Sequence, residues 1–249
     1  MNGESPEDRM ERLVRDRTPR PLPRRFYRLA SASADHAILL DGKAVKTPLK
    51  NALRLPDAAL AAAVAAEWQA QTEVINPGLM PLTRLANSAI DGVAAQRAAV
   101  IADLASYAGS DLTCYRADEP QALIKRQNSQ WDPVLAWAGT RLGAVFRPHA
   151  GINHVPQDPA ALAAVSAHAA GLDDFRLAAA HSLATLTGSA LLALMLLDGR
   201  LTAEQGWAAA HVDEDWQIEH WGEDAEAKQA RAARRRDYDA ALAFARTDS

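Results

Sequence analysis

The sequence predicts an α+β fold, in which a β-rich N-terminal domain is followed by an α-helical C-terminal domain. Short β-prone runs stand on both sides of Asp41-Gly42, which is typical of a hairpin turn. Beyond Asp158 the chain consists of helix-forming runs separated by Gly171 and Gly199, residues that commonly end helices. Alanine is abundant and aromatic residues make up only 6% of the chain, which favours helix over strand.

The N-terminal part divides into an arm and a β-rich domain. Residues 1–24 mix both charges with Pro19, Pro21 and Pro23 and predict a flexible arm. Residues 25–90 then form the β-rich domain with one packed helix, which Pro56-Asp57 opens and which reaches about Thr72. The strands predicted in this domain are 26–29, 37–40, 43–47 and 53–55.

Residues 91–249 are predicted to form the helical domain. A helix that starts near Leu82 is expected to continue to about Tyr107, with a break near Gly92. A helix over 120–142 should be interrupted at Asp132-Pro133, because proline removes a backbone donor. Short strands are predicted at 112–116, 144–146 and 152–155, and further helices at 159–170, 173–198, 202–221 and 224–246.

Composition excludes several classes of protein. The net charge of −4 gives no reason to expect a nucleic-acid partner, since such domains are usually strongly basic. The single cysteine, Cys114, rules out an internal disulfide framework, and its apolar neighbours predict a buried thiol in a strand. Acidic residues near the N-terminus, such as Glu4 and Glu7, argue against an organelle transit peptide.

The stretch 177–197 has no charged residue and is long enough to cross a bilayer. Thr187, Gly188 and Ser189 interrupt it near the middle, so a buried pair of helices or one kinked central helix is the favoured interpretation. We expect no stable membrane insertion. A membrane-attached scaffold that uses this stretch is a third, weaker hypothesis for function.

Sequence motifs for catalysis are missing. There is no glycine-rich phosphate loop, and Gly188-Ser189-Ala190 lacks the spacing of a nucleophile elbow, so we predict no catalytic residue and no cofactor. His211 and Asp215, four residues apart, could share a metal ion only with ligands from elsewhere. A metal-dependent hydrolase that uses the cluster at 211–226 is therefore the alternative function, although we predict no metal site.

The segment Trp207–Ala227 carries three of the six tryptophans and seven carboxylates. On a continuous helix, Trp207, Ile218 and Trp221 share a face that should dock on the core, and Trp216 faces the other way. An aromatic residue with a charged rim is typical of a partner-binding surface. The predicted partner-binding residues are Glu214, Asp215, Trp216, Glu219, Glu223 and Asp224. In the alternative, this helix is wedged between two others and Trp216 belongs to the core.

Six motifs in series resemble those of one known family, the assembly chaperones of the F1 sector of ATP synthase that bind its alpha subunit. The motifs are Asp41-Gly42-Lys43 with Lys46-Thr47-Pro48, Ala66-Glu67-Trp68 with Gln71, the run Met80–Asn87, Asp111-Leu112 with Cys114-Tyr115-Arg116, Trp131-Asp132-Pro133, and Trp216-Gln217 leading to Trp221–Glu226.

The resemblance implies a molecular chaperone rather than an enzyme. Such a chaperone would bind free alpha subunit and prevent its aggregation until beta subunit replaces it. The resemblance also implies that the C-terminal domain is an orthogonal helical bundle, and that Trp68 and Met80–Asn87 join the two domains. We expect the chain to act as a monomer and the acidic motif at 216–226 to contact the client.

Overall fold

The structure is a computed structural model that describes residues 21–151 and 153–246. Residues 1–20 of the flexible arm predicted at 1–24 lie outside the described residues. The α+β fold class is confirmed, with small sheets in the first half of the chain and helices throughout the second.

Three antiparallel strands form the N-terminal sheet in the order β1-β2-β3. They are β1 (Ala30–Ala32), β2 (Ile38–Leu40) and β3 (Lys43–Ala44). The predicted hairpin turn is confirmed, since Asp41 and Gly42 both have positive φ angles, 47° and 79°. The strand predicted at 26–29 is wrong. The N–H groups of Arg28 and Leu29 donate to the Asp41 carboxylate, so the strand starts only at Ala30.

One helix connects this sheet to the rest of the molecule. Helix α1 (Ala58–Gln69) begins at Asp57, whose side chain accepts a hydrogen bond from the Leu60 N–H. At its other end Glu67 reaches helix α2 (Pro81–Asn87). The Glu67 carboxylate accepts from the N–H groups of Leu82, at 2.7 Å, and Thr83, at 2.8 Å. It thereby satisfies backbone donors at the N-terminus of α2 that the helix itself cannot pair.

The predicted break near Gly92 is confirmed. A π-helical segment (Ser88–Val93) joins α2 to α3 (Ala94–Gly109), and Gln96 has non-helical angles of φ −128° and ψ 30°. Helical structure nevertheless continues past residues 90 and 91, so the domain boundary predicted there stays a prediction.

Several predictions between residues 110 and 157 are wrong in detail. The expected strand at 112–116 is a 3-10 turn (Leu112–Cys114) followed by the short strand β4 (Tyr115–Arg116). Its parallel partner is β5 (His149–Ala150), and not the run 144–146. Residue 152, in the other predicted strand, lies outside the described residues. Cys114 is buried as predicted, although in the turn, and burial raises the pKa of its thiol to about 12.

Proline does not interrupt the next helix. Helix α4 (Gln121–Trp137) continues through Pro133 and ends in a π-helical segment (Ala138–Leu142). Trp131 and Val134, on either side of the proline, are fully buried. Their packing outweighs the single backbone hydrogen bond that proline removes.

The centre of the C-terminal part is the charge-free stretch 177–197. It forms two buried helices, α6 (Asp174–Thr187) and α7 (Ala190–Leu197), separated by Gly188 with φ 69°. Among the residues described, no helix combines the length and the apolar character needed to cross a membrane. Helices α3, α4, α8 (Ala203–Ala210) and α10 (Ala225–Ala245) pack against this pair. Helix α5 (Pro159–Ala170) packs against α3, and α9 (Val212–Trp221) packs against α4.

Candidate functional site

The predicted single helix over 202–221 is two helices. Helix α8 starts with a capping box, in which the Thr202 side chain accepts from the Gln205 N–H and the Gln205 side chain accepts from the Thr202 N–H. It ends at His211, where φ is −120° and ψ is 23°. Helix α9 then starts in a new direction. A rotation of about 100° per residue therefore cannot be carried across residue 211, and the faces predicted for 207–221 no longer apply.

The Trp207 end of this segment is fixed in the structure. The indole of Trp207 stacks on the His211 ring at 3.8 Å and meets the edge of Tyr238 at 5.2 Å. The guanidinium of Arg235 lies 5.3 Å from the Trp207 ring, within cation–π range. His211 Nδ1 is 2.8 Å from the Trp207 carbonyl oxygen, and burial lowers the pKa of this imidazole. These contacts make His211 a structural residue.

Two of the predicted partner-binding acids are paired within the protein. An oxygen of the Glu214 carboxylate lies 2.9 Å from Arg234, and Asp215 forms an ion pair with Arg231. Both arginines belong to α10, so these pairs connect α9 to the last helix. Much of the negative charge expected here for a partner is thus neutralised by the chain itself.

A second set of contacts connects α9 to α4. One nitrogen of Arg126 lies 2.7 Å from both carboxylate oxygens of Glu219. The Gln127 amide donates to Asp213 at 2.7 Å. The Glu219 side chain is still 54% exposed, so it remains accessible to a partner.

Trp216 is neither the exposed anchor nor the core residue that the sequence suggested as alternatives. It is half-buried, and its ring stacks on His220 at 4.2 Å. His220 Nδ1 lies 2.8 Å from the Trp216 carbonyl oxygen, which holds the two rings together.

Trp221 corrects the sequence prediction most clearly. It was expected to dock on the core with Trp207 and Ile218, yet it is 77% exposed. Gly222, with φ 81°, ends α9 directly after it, and Asp224 caps α10 by accepting from the Ala227 N–H. A groove of about 420 Å³ lies beside Trp221. Its lining includes Ile218, Ala227 and three carboxylates, those of Glu214, Glu223 and Asp224.

The groove therefore brings together three of the six predicted partner-binding residues. Glu214, Glu223 and Asp224 line it, whereas Asp215, Trp216 and Glu219 do not. Sequence reasoning missed Trp221 as an exposed aromatic. Gly222 directly after it was the available signal, because glycine commonly ends a helix and leaves the last turn in solvent.

The residues proposed for a metal centre have other partners. His211 Nδ1 lies against a backbone carbonyl, and Asp215 is paired with Arg231. In the part of the chain that the structure describes, no three histidine, cysteine or acidic side chains are grouped as metal ligands.

Comparison with known proteins identifies the family. Residues 24–139 match the sequence profile of a family described as ATP12 chaperone protein. Atp12 from Paracoccus denitrificans is 46% identical in sequence, with a TM-score of 0.80, over 90% of this chain and 97% of that one. The chain belongs to the ATP12 chaperone family.

Two further structures agree with this assignment. An Asp-to-Lys mutant of the same Paracoccus protein is 45% identical, with a TM-score of 0.80, over 89% of this chain and 96% of that one. The Atu1473 protein of Agrobacterium tumefaciens is 46% identical, with a TM-score of 0.83, over 93% of this chain and 88% of that one. The family that the six motifs indicated is thereby confirmed, and with it a chaperone role in assembly of the F1 sector of ATP synthase.

Motifs of the ATP12 family that lie outside the acidic segment have structural contacts. The Tyr27 hydroxyl donates to the Trp68 carbonyl at 2.6 Å, and Glu67 caps α2. Arg116 pairs with Asp132 at 2.9 Å, and its guanidinium lies 5.3 Å from the Trp131 ring. Asp111 is fully buried and accepts hydrogen bonds from Ser189 and from the Leu191 N–H at the start of α7.

Proposed function

We propose that the chain binds free alpha subunit of the F1 sector and prevents its aggregation until beta subunit takes its place. The proposed contact surface comprises the predicted residues Glu214, Asp215, Trp216, Glu219, Glu223 and Asp224, together with Trp221. The observation that carries the proposal is the 77% exposure of Trp221 beside a groove rimmed by carboxylates. Exposed apolar side chains with polar rims commonly mark interaction sites.

The proposed surface acts through two kinds of contact. Trp221 and Ile218 would cover apolar client surface that beta subunit covers in the assembled sector. Glu219 and Glu223, which are exposed, would attract basic side chains of the client and speed the encounter at low salt. Glu214 and Asp215, at the inner side of this surface, would also hold α9 against α10 through Arg234 and Arg231, so that the exposed end keeps its position. Binding and competition suffice for this cycle, so we infer a non-enzymatic protein.

The proposal includes the setting in which the chaperone acts. We infer that it works as a monomer in the bacterial cytoplasm and that neither nucleic acid nor a cofactor takes part. Release would follow from competition, because beta subunit and chaperone would cover the same apolar patch of the client.

Light scattering during dilution of unfolded alpha subunit tests this proposal. We expect Trp221→Ala to weaken client binding by ~2 kcal/mol, about thirtyfold, as is usual for an aromatic hot spot. Its control is Val145→Ala, which also removes an exposed apolar side chain (71% exposed) but lies away from the groove. Addition of beta subunit should release the client from the wild-type chain.

Charge reversal tests the acidic rim. Glu223→Lys and Glu219→Lys should slow client binding and reduce its dependence on salt. The control is Glu119→Lys, which reverses an exposed charge far from this segment in the sequence and should have neither effect. If Trp221→Ala and both reversals protect alpha subunit as well as the wild-type chain does, the client site lies elsewhere.

A further inference from the structure

Exposed large apolar side chains are concentrated in the N-terminal part of the chain. Among the described residues nine large hydrophobic side chains are exposed, and six of them fall between residues 22 and 79. The six are Leu22, Phe26, Leu29, Leu49, Val74 and Leu79. Phe26 is the most exposed of them, at 75%. An exposed apolar side chain that borders a groove is typical of an interaction site.

One of these side chains borders a groove of about 480 Å³. Aromatic rings form much of its lining, with Phe26 edge-to-face against Tyr27 at 5.4 Å and Tyr27 against Trp68 at 5.9 Å. Val45 completes the apolar wall. The volume lies in the range of sites that hold small ligands or a few side chains of a bound peptide.

Positive charge predominates at the rim of this groove. Lys43 and Lys46 line it and both are exposed. The guanidinium of Arg25 lies 4.6 Å from the Tyr27 ring, and its N–H groups donate to backbone carbonyls of Tyr27 and Gln71.

The one carboxylate of the groove is already engaged. Asp41 accepts hydrogen bonds from the backbone N–H groups of Leu29, at 2.9 Å, and Arg28, at 3.1 Å. These bonds lower the pKa of Asp41 and fix its carboxylate against the backbone. Two lysines thus line an aromatic groove that contains a single, internally bonded acid, and Arg25 lies against one of its rings.

We propose that this groove binds an acidic segment of another polypeptide, which places an apolar side chain against Phe26 and Trp68 and a carboxylate beside Lys43 and Lys46. The aromatic walls favour the apolar side chain, and the positive charge of the rim favours acidic over basic residues beside it in the bound segment. The contact goes beyond the proposed client surface at Trp221, which has the opposite charge. The two surfaces could hold different segments at the same time.

Peptide binding to the full chain tests this proposal. The probe is a short fluorescent peptide in which aspartate alternates with leucine, and its control carries lysine in place of each aspartate. We expect fluorescence anisotropy to show binding of the acidic peptide alone, with an affinity that falls as salt is added.

Two variants with matched controls locate the site. Lys46→Glu and Phe26→Ser should each weaken binding of the acidic peptide by about tenfold, since one reverses a rim charge and the other removes an aromatic wall. Lys125→Glu reverses an exposed charge on α4, and Leu79→Ser removes an exposed side chain that does not line the groove. Both controls should bind the peptide as the wild-type chain does.

Four results would overturn the proposal. Two come from the peptide assay: equal binding of both peptides, or equal effects of the test and control variants. The other two indicate a different occupant: a dimer in sedimentation that Phe26→Ser abolishes, or Phe26-dependent binding to vesicles of anionic lipid without binding of the peptide. The outcome is independent of the client surface, because Trp221→Ala should bind the acidic peptide normally.

Discussion

Trp207 and Trp221 stand at opposite ends of one acidic, aromatic-rich segment, and their surroundings differ. Trp207 is held by a stacked histidine, a tyrosine edge and the guanidinium of Arg235. Trp221 is the last residue of α9 and lies in solvent, and Gly222 ends the helix directly after it. The acids follow the same division. Glu214 and Asp215 are paired with arginines of α10, whereas Glu223 is exposed beside Trp221.

This difference separates stability from binding along a single segment. Half-buried ion pairs and stacked rings hold the first part of α9 in place. Removal of one member of such a pair would leave the other member without its contact. The last turn and the residues after it have few such contacts, so substitution there should change the surface without unfolding the chain. Three predictions test the comparison, in order of decreasing effect.

The largest effect is expected at Trp131 of α4, which supports the Trp207 end of the segment. Trp131 is fully buried, and its indole N–H donates to the Ala209 carbonyl, in the last turn of α8, at 2.7 Å. Trp131→Ala should lower the free energy of unfolding by ~3–5 kcal/mol, because it empties a large core site and leaves that carbonyl without its donor. Urea denaturation gives the value.

Trp221→Ala is the control for that measurement. It removes a tryptophan that is 77% exposed, so the free energy of unfolding should change by no more than ~0.5 kcal/mol. A comparable loss in both variants would contradict the division of the segment into a fixed and an exposed end.

An intermediate effect is expected where α8 approaches its neighbours. A Cβ atom added at Gly206 would lie 2.5 Å from the Tyr238 hydroxyl oxygen and 2.6 Å from a Leu196 methyl carbon. Gly206→Ala should therefore cost ~1–3 kcal/mol through overpacking.

Gly139→Ala provides the matched control for overpacking. No atom lies within 4 Å of a Cβ added at Gly139, which is itself in a helical segment. The variant should be neutral or more stable by up to ~1 kcal/mol, since alanine favours helix. Thermal melting of both variants measures the contrast, and equal melting points would show that α8 can move away from Tyr238.

The smallest effect is a dependence of stability on pH at His211. Burial lowers the pKa of this imidazole below its ordinary 6.5, against the smaller opposing effects of the Trp207 carbonyl and of Glu214. The unfolded chain therefore binds the proton more readily, and protonation favours unfolding. Stability that is present above pH 6.5 should be lost as the pH falls through and below that value.

His211→Phe isolates this contribution. The variant keeps an aromatic ring beside Trp207 but cannot titrate, so its melting temperature should fall less steeply than that of the wild-type chain between pH 7.5 and about 5.5. Some slope should remain, because burial also lowers the pKa of His168. Parallel curves for the two proteins would show that His211 does not contribute.

The sequence allowed much of the fold to be predicted, because many elements depend on short-range signals. The turn at Asp41-Gly42, the helix start at Asp57 and the helix end at Gly188 each follow from the conformation of one or two residues. Predictions were less successful where side-chain packing competes with a local backbone preference. Pro133 lies within α4 because the packing of its neighbours outweighs a lost hydrogen bond.

For the candidate site, the sequence by itself determined the family, through six motifs in order, and the composition of the acidic segment. It could not determine which tryptophan is buried. That depends on the break at His211, which changes the direction of the helix, and on Arg231 and Arg234, which come from the next helix to neutralise Asp215 and Glu214. Only the tertiary structure decides such matters, because burial and pairing are properties of surfaces brought together from distant parts of the chain.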